Sequence, residues 1–305
     1  MIVDCHTSIW QSPEQLGTEA LDRMAQSTYF GREAVRLLPK ADTASHLLSS
    51  EPVDYCFVLG FRSKFLDAQI PPRFIADYCS EHADRMIAFA GIDPMDADAP
   101  EQLDRITRGT DFRGLVICPA AQDFHPCDTR AMSIYEQAAK AKLPIIFSPG
   151  PYMGGRSRLS YAHPILLDEV AGHLPQLKIM IAHLGYPWID ETIALLGKHK
   201  NVLANLAGLL RRPWIAYDAL VRAHQMDVID QLLFGSDFPF ASAADCIETL
   251  YNINQFASGT PLPVIPRSLL RKIVERPVLD LLGIRPAAGQ APAPLPRTRR
   301  VSRGS

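Results

Sequence analysis

The chain has no paired cysteines. Its six, Cys5, Cys56, Cys79, Cys118, Cys127 and Cys246, are scattered, and no Cys-x-x-Cys occurs. That spacing excludes a zinc ribbon or a dithiol redox motif and points to free thiols. No apolar run approaches the length of a membrane span. A signal-peptide pattern is missing as well: Met1-Ile2-Val3-Asp4 starts at once on a strand pattern with an acid, so the expected setting is cytoplasmic, with no membrane partner. Beyond Ile284 the chain holds Arg285, Arg297, Arg299, Arg300 and Arg303 with neither Asp nor Glu, which leaves 26 basic against 33 acidic residues in the body. An acidic body argues against nucleic acid as the main partner.

What the chain does have is alternation. With 305 residues, 47% of them hydrophobic, it can bury one large core. Short apolar runs at 2–6, 53–59, 86–92, 114–118, 144–148, 178–183, 201–205 and 232–236 predict eight strands. Longer amphipathic stretches at 72–83, 99–108, 130–142, 164–173, 187–198, 215–226 and 266–282 predict helices. Pro72, Pro164, Pro187 and Pro266 each stand where a first helical turn tolerates proline. Strict strand–helix alternation demands a parallel sheet with right-handed crossovers, and eight units favour closure into a TIM-like (β/α)8 barrel over residues 1–284. An insertion at 8–50 is expected to form a helical flap over the mouth. The Gly/Pro/Arg-rich loop at 149–161 is long enough for a lid. Residues 285–305, rich in Pro, Ala and Arg, are expected to be a disordered tail.

A parallel barrel presents its chemistry at the carboxyl ends of its strands. Strand eight ends in Gly235-Ser236-Asp237, strand six in His183, strand seven in Asn205, strand five in Ser148 and strand four in Cys118. Strand one offers Asp4, His6 and Ser8 on one face, because a strand alternates with period two. The plainer readings are that Asp237 caps a turn, that Cys118 is a small apolar filler, and that His82, His173, His199 and His224 are ordinary core or surface residues. Arg156 and Arg158 after strand five, and Arg211 and Arg212 after strand seven, could hold a substrate carboxylate at the rim or merely balance the acidic body.

Three segments, Asp4-Cys5-His6-Thr7, Lys178-Ile-Met-Ile-Ala-His-Leu-Gly185 and Phe234-Gly-Ser-Asp-Phe-Pro-Phe240, resemble the amidohydrolase superfamily. The branch they resemble includes aminocarboxymuconate-semialdehyde decarboxylase. The resemblance implies a (β/α) barrel holding one divalent metal, often zinc, and performing hydrolysis or non-oxidative decarboxylation. It makes His6 the first histidine of a metal pair, Asp237 a metal ligand that also moves the water proton, and His183 an acid/base or supporting group. Two positions depart from it: Ser8 replaces the second histidine of the pair and Ser148 the strand-five histidine. A hydroxyl is a poor substitute for imidazole, so weak or absent zinc binding is expected. Metal-independent members of the superfamily exist, a lactone hydrolase among them.

The leading expectation is therefore a hydrolase acting on a small carboxylated molecule, with Asp237 and His183 catalytic. Ser8, Ser148, Asn205 and the four arginines are the substrate-binding candidates. A decarboxylase on the same scaffold is the alternative. A barrel kept only to bind a ligand or partner subunit is the reading from another class. A small-molecule substrate, and as one option a second copy of the chain, are the partners expected.

Overall fold

The structure, a computed structural model, describes residues 1–17, 40–109, 111–150 and 155–285. The tail beyond Arg285, residues 18–39 of the expected flap and 151–154 of the expected lid lie outside the described residues.

Eight strands run parallel in chain order: β1 Val3–Thr7, β2 Tyr55–Leu59, β3 Met86–Gly91, β4 Phe112–Ile117, β5 Ile145–Phe147, β6 Ile179–Ile181, β7 Val202–Asn205 and β8 Leu232–Leu233. Sequences such as Tyr-Cys-Phe-Val-Leu and Ile-Met-Ile are buried along their whole length, as strands covered on both faces must be. The last strand closes on the first through Cys5 N–H to Phe234 O (3.0 Å), Asp237 N–H to His6 O (3.0 Å) and Ser8 N–H to Phe238 O (2.9 Å). The expected barrel is present, and its seam zips the ends of β1 and β8 together.

Helices cover the sheet: α1 Thr43–Ser49, α2 Pro72–Glu81, α3 Ala99–Arg108, α4 Thr129–Lys140, α5 Leu167–His173, α6 Ile189–Lys198, α7 Pro213–Gln225, α8 Ala243–Tyr251, α9 Arg267–Val274 and α10 Val278–Leu282. Asp42, Asp128 and Ser242 cap α1, α4 and α8 by accepting backbone N–H groups of the first turn.

Several boundaries differ from expectation. The helix expected over 164–173 is a 3-10 turn, Pro164–Leu166, followed by α5. The one expected over 266–282 breaks into α9 and α10, because Pro277 has no N–H to continue the ladder. Helix α8 was not anticipated, although Ala243, Cys246 and Leu250 bury one helical face. Strand eight is shorter than its apolar run. After Leu233 the chain leaves regular pairing, and Asp237 takes a left-handed backbone (φ 70). Among the described residues no helix is long and apolar enough to cross a membrane.

Candidate active site

The seam sets His6 and Asp237 side by side. Asp4, fully buried, ties the two strand ends from below: its Oδ1 accepts the N–H of His6 (3.1 Å) and of Ser236 (2.9 Å). Burial raises the Asp4 pKa to about 6 against the pull of those bonds. His6 and Asp237 are themselves buried, with His6 Nε2 3.9 Å from Asp237 Oδ1. Burial pushes the His6 pKa well down, so His6 stays neutral.

His183 arrives from the end of β6, its ring centroid 4.7 Å from that of His6. It and Leu184 hold left-handed backbone (φ 56 and 47), which is uncommon for residues other than glycine. Asn205, at the end of β7, holds this strained turn: its Oδ1 accepts the N–H of His183 (3.0 Å) and of Ala207 (3.2 Å). Those two donors fix the amide orientation, so it is Asn205 Nδ2 that faces His6 Nδ1 at 3.4 Å. His6 Nδ1 is then the acceptor, and the neutral ring carries its proton on Nε2, toward Asp237. His183 has the opposite arrangement. Its Nδ1–H donates to Ala207 O (2.9 Å), leaving Nε2 with a free lone pair.

Arg211 enters from the loop after β7. Its Nη2 donates to Asp237 Oδ2 at 3.0 Å, and its guanidinium lies 5.2 Å over the Phe240 ring. Burial raises the Asp237 pKa, while Arg211 and Arg212 pull it back down. Gly208 completes the floor (φ 72): a Cβ there would stand 3.1 Å from both Asp237 Oδ2 and His183 Nδ1. Beside the group runs a cleft lined by Phe147, Ser148, Tyr161, His163, Ala182 and Tyr186.

Of the residues singled out in the sequence, the fold therefore gathers His6, His183, Asp237, Asn205 and Arg211. Asn205 is fully buried and holds the two histidines rather than presenting itself to a ligand. Arg211 is engaged by Asp237 rather than standing at the rim. Arg212 lies 4.9 Å over the Tyr186 ring. Arg156 and Arg158 are exposed, Arg156 stacked on Phe65, and Arg158 paired with Asp123 at 2.8 Å and 5.1 Å over the ring of Tyr161, which lines the cleft. Ser148 lines the cleft, and its Oγ accepts the Gly150 N–H (3.1 Å). Ser8 is half-buried, one residue past the end of β1. Cys118 is buried and its thiol pKa is pushed far up, as befits a filler. Gly208 had not been singled out, although a glycine three residues past a strand end is a recognisable turn signal.

One ligand atom from each of His6, His183 and Asp237 lies within 4.8 Å of the others, a separation that suits a divalent ion. The chemistry around those atoms suits it poorly. A metal-bound histidine normally donates its other N–H and keeps a lone pair for the ion. His183 is set that way and His6 is not. Asp237 already carries a guanidinium on one oxygen. With Ser8 and Ser148 in place of imidazoles, only His183 Nε2 and one Asp237 oxygen keep lone pairs for an ion, short of the three ligands a catalytic zinc takes.

Among solved structures, the fold is similar to a TIM-barrel protein from Bordetella bronchiseptica at 19% identity, covering 92% of this chain and 98% of that one, with a TM-score of 0.69. It is also similar to a probable 2-pyrone-4,6-dicarboxylic acid hydrolase from Acinetobacter baumannii with citric acid bound (14%, covering 93% and 99%, TM-score 0.61). A third is a dihydroxybenzoic acid decarboxylase from Polaromonas sp. JS666 with bound manganese and the inhibitor 2-nitroresorcinol (14%, covering 92% and 96%, TM-score 0.63). No curated protein sequence matches. Identities this low speak for the barrel and not for the reaction. The family model described as amidohydrolase, however, matches residues 3–275, nearly the whole described barrel, and the chain belongs to that family.

Proposed function

We propose that the chain is a hydrolase that activates water with Asp237 and acts on a small carboxylated molecule. The observation that carries this reading is the Asp237 carboxylate itself: buried at the mouth end of β8, held at Oδ2 by Arg211, with Oδ1 turned toward His6. The guanidinium favours the ionised form, which is the form a general base needs. Asp237 takes a proton from water as the water attacks. The His6 Nε2–H donates to the carbonyl oxygen that gains charge, and as the bond from that carbon to the leaving oxygen breaks, the proton held by Asp237 passes to the leaving oxygen, directly or relayed by His183 Nε2. One neighbour is named as a probable hydrolase of a dicarboxylic acid, and citric acid, bound in it, is also a polycarboxylate. An arginine near the opening, such as Arg212, suits that substrate class. Free thiols throughout fit a cytoplasmic enzyme.

A second reading has its own support. Other structural neighbours are named as 5-carboxyvanillate and 2,6-dihydroxybenzoate decarboxylases. On that reading a protonated Asp237 delivers its proton to the ring carbon that loses carbon dioxide.

Isotopes separate the two. Purified protein is offered carboxylated lactones and hydroxybenzoates in 18O-labelled water and, separately, in deuterium oxide. Hydrolysis places one 18O in the product acid; that is the expected result. Carbon dioxide release with deuterium on the ring carbon would replace hydrolysis by decarboxylation. Ligands that bind but are turned over by neither route would leave the barrel a binding protein.

A further inference from the structure

We propose that the Arg211 guanidinium is the resident cation of this site: it pairs with Asp237 next to the place a divalent ion would take, and makes the centre indifferent to metal.

An ion shared with His6 would use Asp237 Oδ1, the oxygen turned toward that ring, while Arg211 Nη2 donates to Oδ2 at 3.0 Å and already offsets the negative charge the carboxylate would offer the ion. The guanidinium is not a passing visitor from the surface. It is largely buried, stacked over Phe240, and belongs to the loop that also supplies Gly208 to the floor of the site. A dication at the centre would stand beside this fixed positive charge in a poorly screened setting, with Arg212 adding to the repulsion. His6 points the same way from the other side. The Asn205 amide, locked by two backbone donors, faces His6 Nδ1 and leaves the Nε2 proton toward Asp237, where a metal would need a lone pair. One cation and one N–H donor thus surround the carboxylate, in place of one metal and its ligands. Ser8 and Ser148 fit the same arrangement, since a site that carries its own cation has no use for two more imidazoles.

This inference rests on the geometry of the site and not on the choice between hydrolysis and decarboxylation, and its test reads metal directly. The wild type and the Arg211→Met, Arg211→Gln and Arg211→Lys variants are purified, assayed for bound metal by elemental analysis, and titrated calorimetrically with zinc chloride and with manganese chloride. The expected wild type retains neither metal and its melting temperature does not respond to either. Arg211→Met and Arg211→Gln remove the positive charge from Asp237 and should bind zinc at least about tenfold more tightly than wild type, the weight of one charge-assisted hydrogen bond. Arg211→Lys keeps the charge and should behave as wild type. Should the methionine variant fail to fold, the glutamine variant, of similar length and polar, gives the same comparison. A wild type holding one tight equivalent of either metal would overturn the proposal, as would neutral variants that bind zinc no better than wild type.

Discussion

Two neighbouring residues of β1 belong to two different polar clusters, and the clusters are built on opposite principles. His6 faces the site. Thr7 faces α1, where its hydroxyl donates to Phe57 O (2.7 Å) and accepts from His46 Nε2 (2.8 Å), while His46 Nδ1 accepts from the Tyr78 hydroxyl (2.7 Å). In the Thr7 cluster each proton has one destination: threonine to carbonyl, histidine to threonine, tyrosine to histidine. His46 is wholly buried and both its nitrogens are satisfied. In the His6 cluster, by contrast, His6 Nε2 stops 3.9 Å from its nearest carboxylate and His183 Nε2 has a lone pair to spare. Closed networks hold elements together; a network with unused valence at a barrel mouth is ready for a ligand. The same residue type serves both ends, so burial alone does not tell a catalytic histidine from a structural one.

The sharpest test of that contrast is a pair of substitutions. Asp237→Asn keeps an oxygen for Arg211 and removes the base. It should lower kcat/KM by roughly 10²–10⁴-fold with little loss of stability. His46→Leu should do the reverse. It leaves the Tyr78 hydroxyl without its acceptor and Thr7 without its donor, at a cost of about 1–3 kcal/mol, while kcat of the protein that remains folded stays unchanged. Denaturant melts and steady-state kinetics on both variants check this. A catalytically dead His46→Leu would mean that the two clusters are coupled through β1.

Acid should expose the closed cluster next. Burial, then the charge of nearby Arg85, depresses the His46 pKa to about 3. Its folded-state pKa lies below the unfolded value of roughly 6.5. Its contribution is therefore complete above pH 6.5 and is lost as pH falls toward 3, by up to about 1.4 kcal/mol per pH unit. His46→Leu removes that dependence, so the stability gap between wild type and variant should shrink from pH 7 to pH 4. A gap that stays constant would show that His46 is not held neutral.

The barrel was legible because its signal is periodic: eight buried runs, each followed by a helix, need no knowledge of contacts. His6, His183 and Asp237 were legible because each sits at a strand end beside a breaker, where a parallel barrel gathers side chains. What the sequence hid depends on distance between chain segments. Nothing in Leu-Leu-Arg-Arg-Pro says that Arg211 turns inward to Asp237 and Arg212 outward to Tyr186. Asn205 reads as a strand-end polar group, and only the fold shows that its amide is used up in fixing two histidines. His46 lies within a stretch expected as a flap, and its partners Thr7 and Tyr78 are 39 and 32 residues away. Strand eight read too long because Leu-Leu-Phe-Gly-Ser is apolar beyond the point where the backbone turns.

The finest distinction concerns two glycines with the same backbone and different surroundings. Gly208 and Gly283 both hold left-handed conformations, φ 72 and 68. Alanine at either position pays the steric cost of that region, about 1–2 kcal/mol. Around Gly283, at the end of α10, a Cβ meets nothing within 4 Å, so Gly283→Ala should lose stability alone. At Gly208 the added methyl would press on Asp237 Oδ2 and His183 Nδ1, both at 3.1 Å, and each must yield by a few tenths of an ångström. Reacting groups tolerate such shifts badly: a displacement of about 1 Å can cost roughly 10²-fold. Gly208→Ala should therefore lose at least as much stability as Gly283→Ala in a thermal melt and also fall roughly tenfold in kcat/KM. Equal activities in the two variants would mean that the turn after β7 does not define the floor of the site.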